Sequence, residues 1–133
     1  MRIKFKIDKL HRDKTADILR AKGEAIKEYA LTDDADYIKA LNNKLIEETH
    51  EVIEATNKAE IAEELADVLE VMHALAKVHG ITMDVVEVER VKKYEAKGGF
   101  YNRLFAVWME VEEGSDSYKK LKSAPDRYPE IKE

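Results

Sequence analysis

Residues 44–70 read KLIEETHEVIEATNKAEIAEELADVLE, and this stretch decides the fold. Nine of its 27 residues are acidic, only Lys44 and Lys58 are basic, and neither Gly nor Pro interrupts it. Glu47, Glu48 and Glu51 come first; after twelve residues follow Glu64 and Asp67. The pattern predicts two helices broken near Asn57. Asn57 with Glu60 three residues on has the form of a capping box and would start the second helix.

A helix advances about 100° per residue. On that wheel Leu41, Leu45, Glu48 and Val52 share one stripe of the first helix, widened on one side by Ile46 and Ile53 and edged on the other by Glu51. In the second helix Ile61, Leu65, Val68, Met72 and Leu75 are expected to form the apolar stripe, with Glu64 inside it and Asp67 beside it. Glu48, Glu51, Glu64 and Asp67 are therefore expected to face or border the surface that a partner helix covers. Two like charges about 4 Å apart repel by roughly 4 kcal/mol at an effective dielectric of 20. Half-buried acids must be paired, protonated or bound to a cation. On the first helix Lys44 is the only nearby base, so a hard divalent cation with oxygen ligands, Mg²⁺ or Mn²⁺, fits the four carboxylates. The competing reading is a solvated acidic face on two surface helices.

The order E-E-x-x-E, gap, E-x-x-D, carried by Glu47, Glu48, Glu51, Glu64 and Asp67, resembles the signature of the MazG-like all-α nucleoside triphosphate pyrophosphatases. The run EELADVL at 63–69 also resembles that family. Two flanking segments are similar to its phosphoribosyl-ATP pyrophosphohydrolase-like branch, which opens with K-L-V-R-D-K-I-P and closes with R-G-G-F. Here the opening is KLHRDKTA at 9–16 and the closing is KGGF at 97–100. His11, Thr15, Ala16 and Lys97 depart from the pattern, and Lys at 97 keeps the charge without the bidentate fork of Arg. The resemblance covers about residues 8–100.

It implies an enzyme that cleaves a nucleoside triphosphate, or a deoxynucleoside triphosphate, to the monophosphate and pyrophosphate, in a house-cleaning role. Glu48, Glu51, Glu64 and Asp67 would hold the metal. Glu47 would orient or deprotonate the attacking water, and Lys9, Arg12, Lys93 and Lys97 would meet the phosphates. Two further readings stand beside it: phosphoribosyl-ATP as the substrate, in histidine biosynthesis, and a non-catalytic helical interaction module.

The rest of the chain sets bounds. One domain is expected from 133 residues, with a core at 8–100 and a mostly irregular tail at 112–133. A net charge of −5 argues against a nucleic-acid polymer as partner. There is no cysteine, hence neither a disulfide framework nor a thiolate site; this suits the cytoplasm. No apolar run reaches the roughly 20 residues of a membrane span, and the basic start lacks a signal-peptide core.

Residues 1–7, MRIKFKI, alternate apolar and basic and predict a short strand; Phe105, Val107, Met109 and Val111 alternate likewise and could pair with it. Lys9 to Lys14 precede a helix expected over 13–22, ended by Gly23; cations there suit a phosphate site or, equally, a basic surface turn. Asp33 or Asp34 is expected to cap the first long helix. The second should run through His79 to a stop at Gly80, and Thr82 should cap a further helix to Lys97 with Val85, Val88 and Val91 inward. His73 and His79 read as helix residues rather than ligands. Trp108 and Tyr101 suit core or dimer packing better than base stacking. The expected fold is thus mainly α, a helical hairpin elaborated by two more helices and a small two-stranded element. A second copy is expected to complete a four-helix bundle as a homodimer or a dimer of dimers.

Overall fold

The computed structural model describes residues 1–132, and among them all regular structure is α-helical. The order is α1 (Thr15–Ala21), α2 (Asp34–Glu54), α3 (Lys58–Val78), α4 (Met83–Lys97) and α5 (Asp116–Lys122). No helix of the described residues is long and apolar enough to cross a membrane. The chain forms two compact units, Met1–Glu95 and a second from Ala96 onward.

The first unit is built on α2 and α3, which pack against each other as a hairpin. Each end has a local cause. Asp33 Oδ1 accepts from the Ala35 N–H at 2.8 Å and caps α2. Asn57 Oδ1 accepts from the Glu60 N–H at 2.9 Å, and the Glu60 carboxylate reaches back to the Thr56 N–H at 3.0 Å. This is a capping box with its return bond one residue earlier than usual. It folds the chain back within three residues, 55–57. Gly80, at φ 70°, ends α3 in the left-handed conformation that glycine adopts without a Cβ clash. The Ile81 N–H then donates to the Ala76 carbonyl at 2.8 Å.

The central row of the stripe expected on α2 packs inward, whereas Ile46 and Ile53, expected to widen it, are exposed. Leu41 is 2% exposed and Glu48 6%, with Leu45 and Val52 half-buried. The stripe expected on α3 is corrected. Its inner row is Glu64, Val68, Val71, Leu75 and Val78, while Ile61, Leu65, Leu69 and Met72 are exposed. The apolar arc of α3 is wider than one partner helix can cover. The row that α2 covers is the one that carries Glu64 and is bordered by Asp67.

α1 is shorter than expected and buries Ala16, with Leu19 half-buried. α4 starts at the Thr82 cap, whose hydroxyl accepts from the Val85 N–H at 3.3 Å. Its Val85, Val88 and Val91 were expected inward but are exposed in the single chain, 53%, 58% and 36%. The two-stranded element is also absent from the described residues. Met1, Ile3, Phe5 and Ile7 are exposed without regular structure, and so are Phe105, Val107 and Met109. Alternation alone does not make a strand: each segment needs a neighbouring edge for its backbone hydrogen bonds, and neither unit supplies one. In the second unit the tail carries α5, capped by Ser115, which accepts from the Tyr118 N–H at 3.2 Å.

Candidate metal centre

The stripe geometry brings Glu48 and Glu51 of α2 face to face with Glu64 and Asp67 of α3. One carboxylate oxygen from each lies within 4.8 Å of the others. With small side-chain adjustments these four residues would hold a hard cation that takes oxygen ligands. Glu48 is buried and the other three are half-buried. Glu48 Oε2 and Glu64 Oε2 are both buried without a hydrogen-bond partner. A buried carboxylate oxygen left unpaired is costly, and a hard cation is the partner that the chemistry of this donor set fits.

The electrostatics agree. Burial pushes the Glu48 carboxyl above the ordinary range, with the neighbouring Glu51 adding to the effect; the ammonium of Lys44 acts the other way. Glu51 is raised first by the Glu64 carboxyl, close enough to share a hydrogen bond, and then by burial. Carboxyls that resist ionisation because of each other are stabilised as anions by a nearby divalent charge.

Cations surround the cluster. Lys44 Nζ lies 3.2 Å from Glu48 Oε1 and 3.3 Å from Glu47 Oε2. Asp8, in the left-handed region at φ 45°, leads into the segment of Lys9 and Arg12. Lys9 Nζ donates to Glu47 Oε1 at 2.8 Å, and Arg12 Nη2 donates to Asp67 Oδ1 at 2.6 Å. The hydrogen bond from Lys9 holds the Glu47 carboxyl below the usual range, and the same bond holds the Lys9 ammonium above its own.

The structure thus brings together six of the residues expected at the site and places Glu47 beside them. Lys9 and Arg12, expected to meet phosphate, here pair with carboxylates. Lys93 is exposed on α4 and makes no ion pair with the cluster among the described residues. Lys97 closes α4 within the second unit. Two features go beyond the sequence reading. Lys44, noted there only as the nearest base, pairs with both Glu47 and Glu48, as its position three and four residues before them allows. A hollow of about 90 Å³ lies beside Glu47, lined by Asp8, Leu10, Ala40 and Asn43 together with the two lysines. It depends on the path of residues 8–10, which no periodicity encodes.

The fold and the cluster define a class: a protein whose regular structure is helical throughout its described residues, with four carboxylates gathered in a two-helix hairpin where they could hold a metal ion. Residues 37–98 match the family profile described as the MazG nucleotide pyrophosphohydrolase domain. That stretch, from within α2 to just past α4, is similar to the MazG-like all-α nucleoside triphosphate pyrophosphatases. Comparison with curated proteins and with solved structures returned no match.

Proposed function

We propose that the protein is a divalent-metal-dependent pyrophosphohydrolase that converts a nucleoside or deoxynucleoside triphosphate to the monophosphate and pyrophosphate. The observation that carries the proposal is the buried, unpartnered pair Glu48 Oε2 and Glu64 Oε2 within the four-carboxylate cluster of a MazG-matching hairpin. Glu48, Glu51, Glu64 and Asp67 would hold Mg²⁺, or Mn²⁺, which when bound supplies Lewis acidity and charge neutralisation toward the triphosphate.

Glu47 is kept ionised by Lys9 and Lys44. It is suited to accept a hydrogen bond from the attacking water and aim it at the α-phosphorus; its lowered pKa makes it a weaker base than a free carboxylate. Lys9 and Arg12 lie where a triphosphate approaching the cluster would meet cations. Lys93 and Lys97 are assigned to the outer phosphates on the resemblance to the branch that ends in R-G-G-F. The hollow beside Glu47, about 90 Å³, and the open one beside Glu51 and Glu64, about 200 Å³, are both smaller than the roughly 300–1,000 Å³ of ligand pockets. A nucleoside therefore needs a further wall, and a second copy seated on the exposed apolar faces of α3 and α4 would provide one. A homodimer, or a dimer of dimers, acting in the cytoplasm is part of the proposal.

A second reading, phosphoribosyl-ATP as substrate, draws support from the branch-like segment at 9–14, two of whose residues pair with acids at the site. A panel of nucleoside triphosphates, deoxynucleoside triphosphates and phosphoribosyl-ATP, assayed for pyrophosphate release with Mg²⁺ or Mn²⁺, tests both. Release from common nucleotides supports the first reading, and release from phosphoribosyl-ATP alone supports the second. No release from any member, with cation bound, returns the chain to a helical interaction module.

A further inference from the structure

Arg12 occupies a position that its expected role does not explain. Its Nη2 donates to Asp67 Oδ1 at 2.6 Å, and Asp67 is one of the four clustered carboxylates. Lys9, three residues earlier, is held instead by Glu47, whose carboxylate is outside the four. One short segment therefore places one cation on α2 and another on α3, and only the second touches a member of the cluster.

The segment does not depend on that contact for its place. Leu10 is half-buried and Ala16, at the start of α1, is 3% exposed. His11 Nε2 meets Glu28 Oε2 at 2.9 Å. Arg12 itself is 61% exposed, with a long side chain free to swing away while the backbone stays anchored.

We infer that Arg12 is a built-in counter-ion of the carboxylate site, one that competes with the divalent cation for Asp67. The inference rests on the reading of the cluster as a divalent-cation site. Two physical terms set its sign. Part of the carboxylate's capacity to bind a cation is already used by a charge-assisted hydrogen bond. A guanidinium retained beside a divalent charge would also be repelled by it. Both terms lower the affinity for metal. Once displaced from Asp67, the guanidinium has all five of its N–H donors free for another anion such as phosphate.

The test is Mn²⁺ binding to the full chain by titration calorimetry, without nucleotide, in wild type and in Arg12→Ala, Arg12→Lys and Lys9→Ala. An exposed ion pair of this kind corresponds to a factor of up to about five in an equilibrium constant. Arg12→Ala should therefore bind Mn²⁺ roughly three- to fivefold more tightly. Arg12→Lys, which keeps the charge, should stay within twofold of wild type. Lys9→Ala removes the same charge from outside the cluster and should change the affinity less than Arg12→Ala. Unchanged or weaker binding by Arg12→Ala overturns the inference while leaving the metal site standing. Equal tightening by Lys9→Ala also overturns it, because net charge and not Asp67 would then be responsible. A wild-type protein that binds no Mn²⁺ overturns this inference together with the proposed function.

Discussion

Replacing Glu48 with Gln separates the two things this residue does. Its carboxylate is 6% exposed and lies in a group of four whose oxygens are within 4.8 Å of one another. Two unit charges at the 4.8 Å limit repel by about 3.5 kcal/mol at an effective dielectric of 20, and by about 0.9 kcal/mol in water. Lys44, 3.2 Å away, offsets part of this, yet burial and Glu51 still leave the carboxyl raised, so the offset is incomplete. Gln keeps the shape and the helix propensity, and Lys44 keeps Glu47 as a partner. With the cation chelated, Glu48→Gln should therefore be more stable than wild type by about 1 kcal/mol, which is roughly 4 °C in Tm for a chain of this size. With Mn²⁺ at a hundred times Kd, wild type should gain about 2.7 kcal/mol, or roughly 10 °C. A tenfold weaker site in the variant would halve that gain. Thermal unfolding followed by circular dichroism, with chelator and with Mn²⁺, measures all four values. A lower Tm for the variant in chelator, or an undiminished shift with Mn²⁺, refutes the assignment of Glu48 as a ligand held against electrostatic repulsion.

Glu64→Gln should suppress pyrophosphate release at least tenfold while the exposed neighbour Glu63→Gln stays near wild type; equal rates in the two would remove Glu64 from the site. The pH dependence has a defined sign. Glu48 and Glu51 have raised folded-state values, so the native chain holds protons more firmly than the unfolded one above the unfolded carboxyl value of about 4.3. Their contribution to stability falls as pH rises through that window, and in chelator Tm should climb between pH 7 and 5. Glu47, lowered by Lys9, contributes in the opposite sense, and its share is lost below the window as pH falls through its folded value. A Tm in chelator that drops steadily from pH 7 to 5 contradicts the raised pair. Asn57→Ala removes the cap of α3 and should cost about 1 kcal/mol in denaturant unfolding, whereas no loss would mean that Thr56 and Glu60 hold the turn alone. Light scattering at micromolar concentration should give a dimer or larger, and a monomer would leave Ile61, Leu65, Leu69 and Met72 without the proposed cover.

The hairpin and its four carboxylates were legible in the sequence because helical periodicity and capping are local. The row Leu41, Leu45, Glu48, Val52 needed only a count of residues, and the Asn57 cap only a separation of three. On α3 the same count placed Glu64, Val68 and Leu75 correctly but put Ile61, Leu65 and Met72 inward too, since an arc apolar on two sides does not say which side meets α2. The pairs Lys9–Glu47 and Arg12–Asp67 join residues 38 and 55 apart, and such distances are fixed by the path of a loop, not by a period. The alternating ends, 1–7 and 105–111, show the converse. A period of two describes a residue pattern, and a strand exists only where a second edge completes it.

The short return at Ala55–Asn57 has a kinetic consequence. All four carboxylates fall within residues 48–67, so the site is assembled by contacts that are close along the chain. Closing such a loop has a small entropic cost, and folds rich in local contacts form early and fast. The repulsion within the cluster therefore acts during the folding reaction itself, while the hairpin is closing, and not only in the finished molecule. A cation that neutralises it would then accelerate folding as well as slow unfolding, and the denaturant dependence of both rates would record at what stage the four side chains first meet.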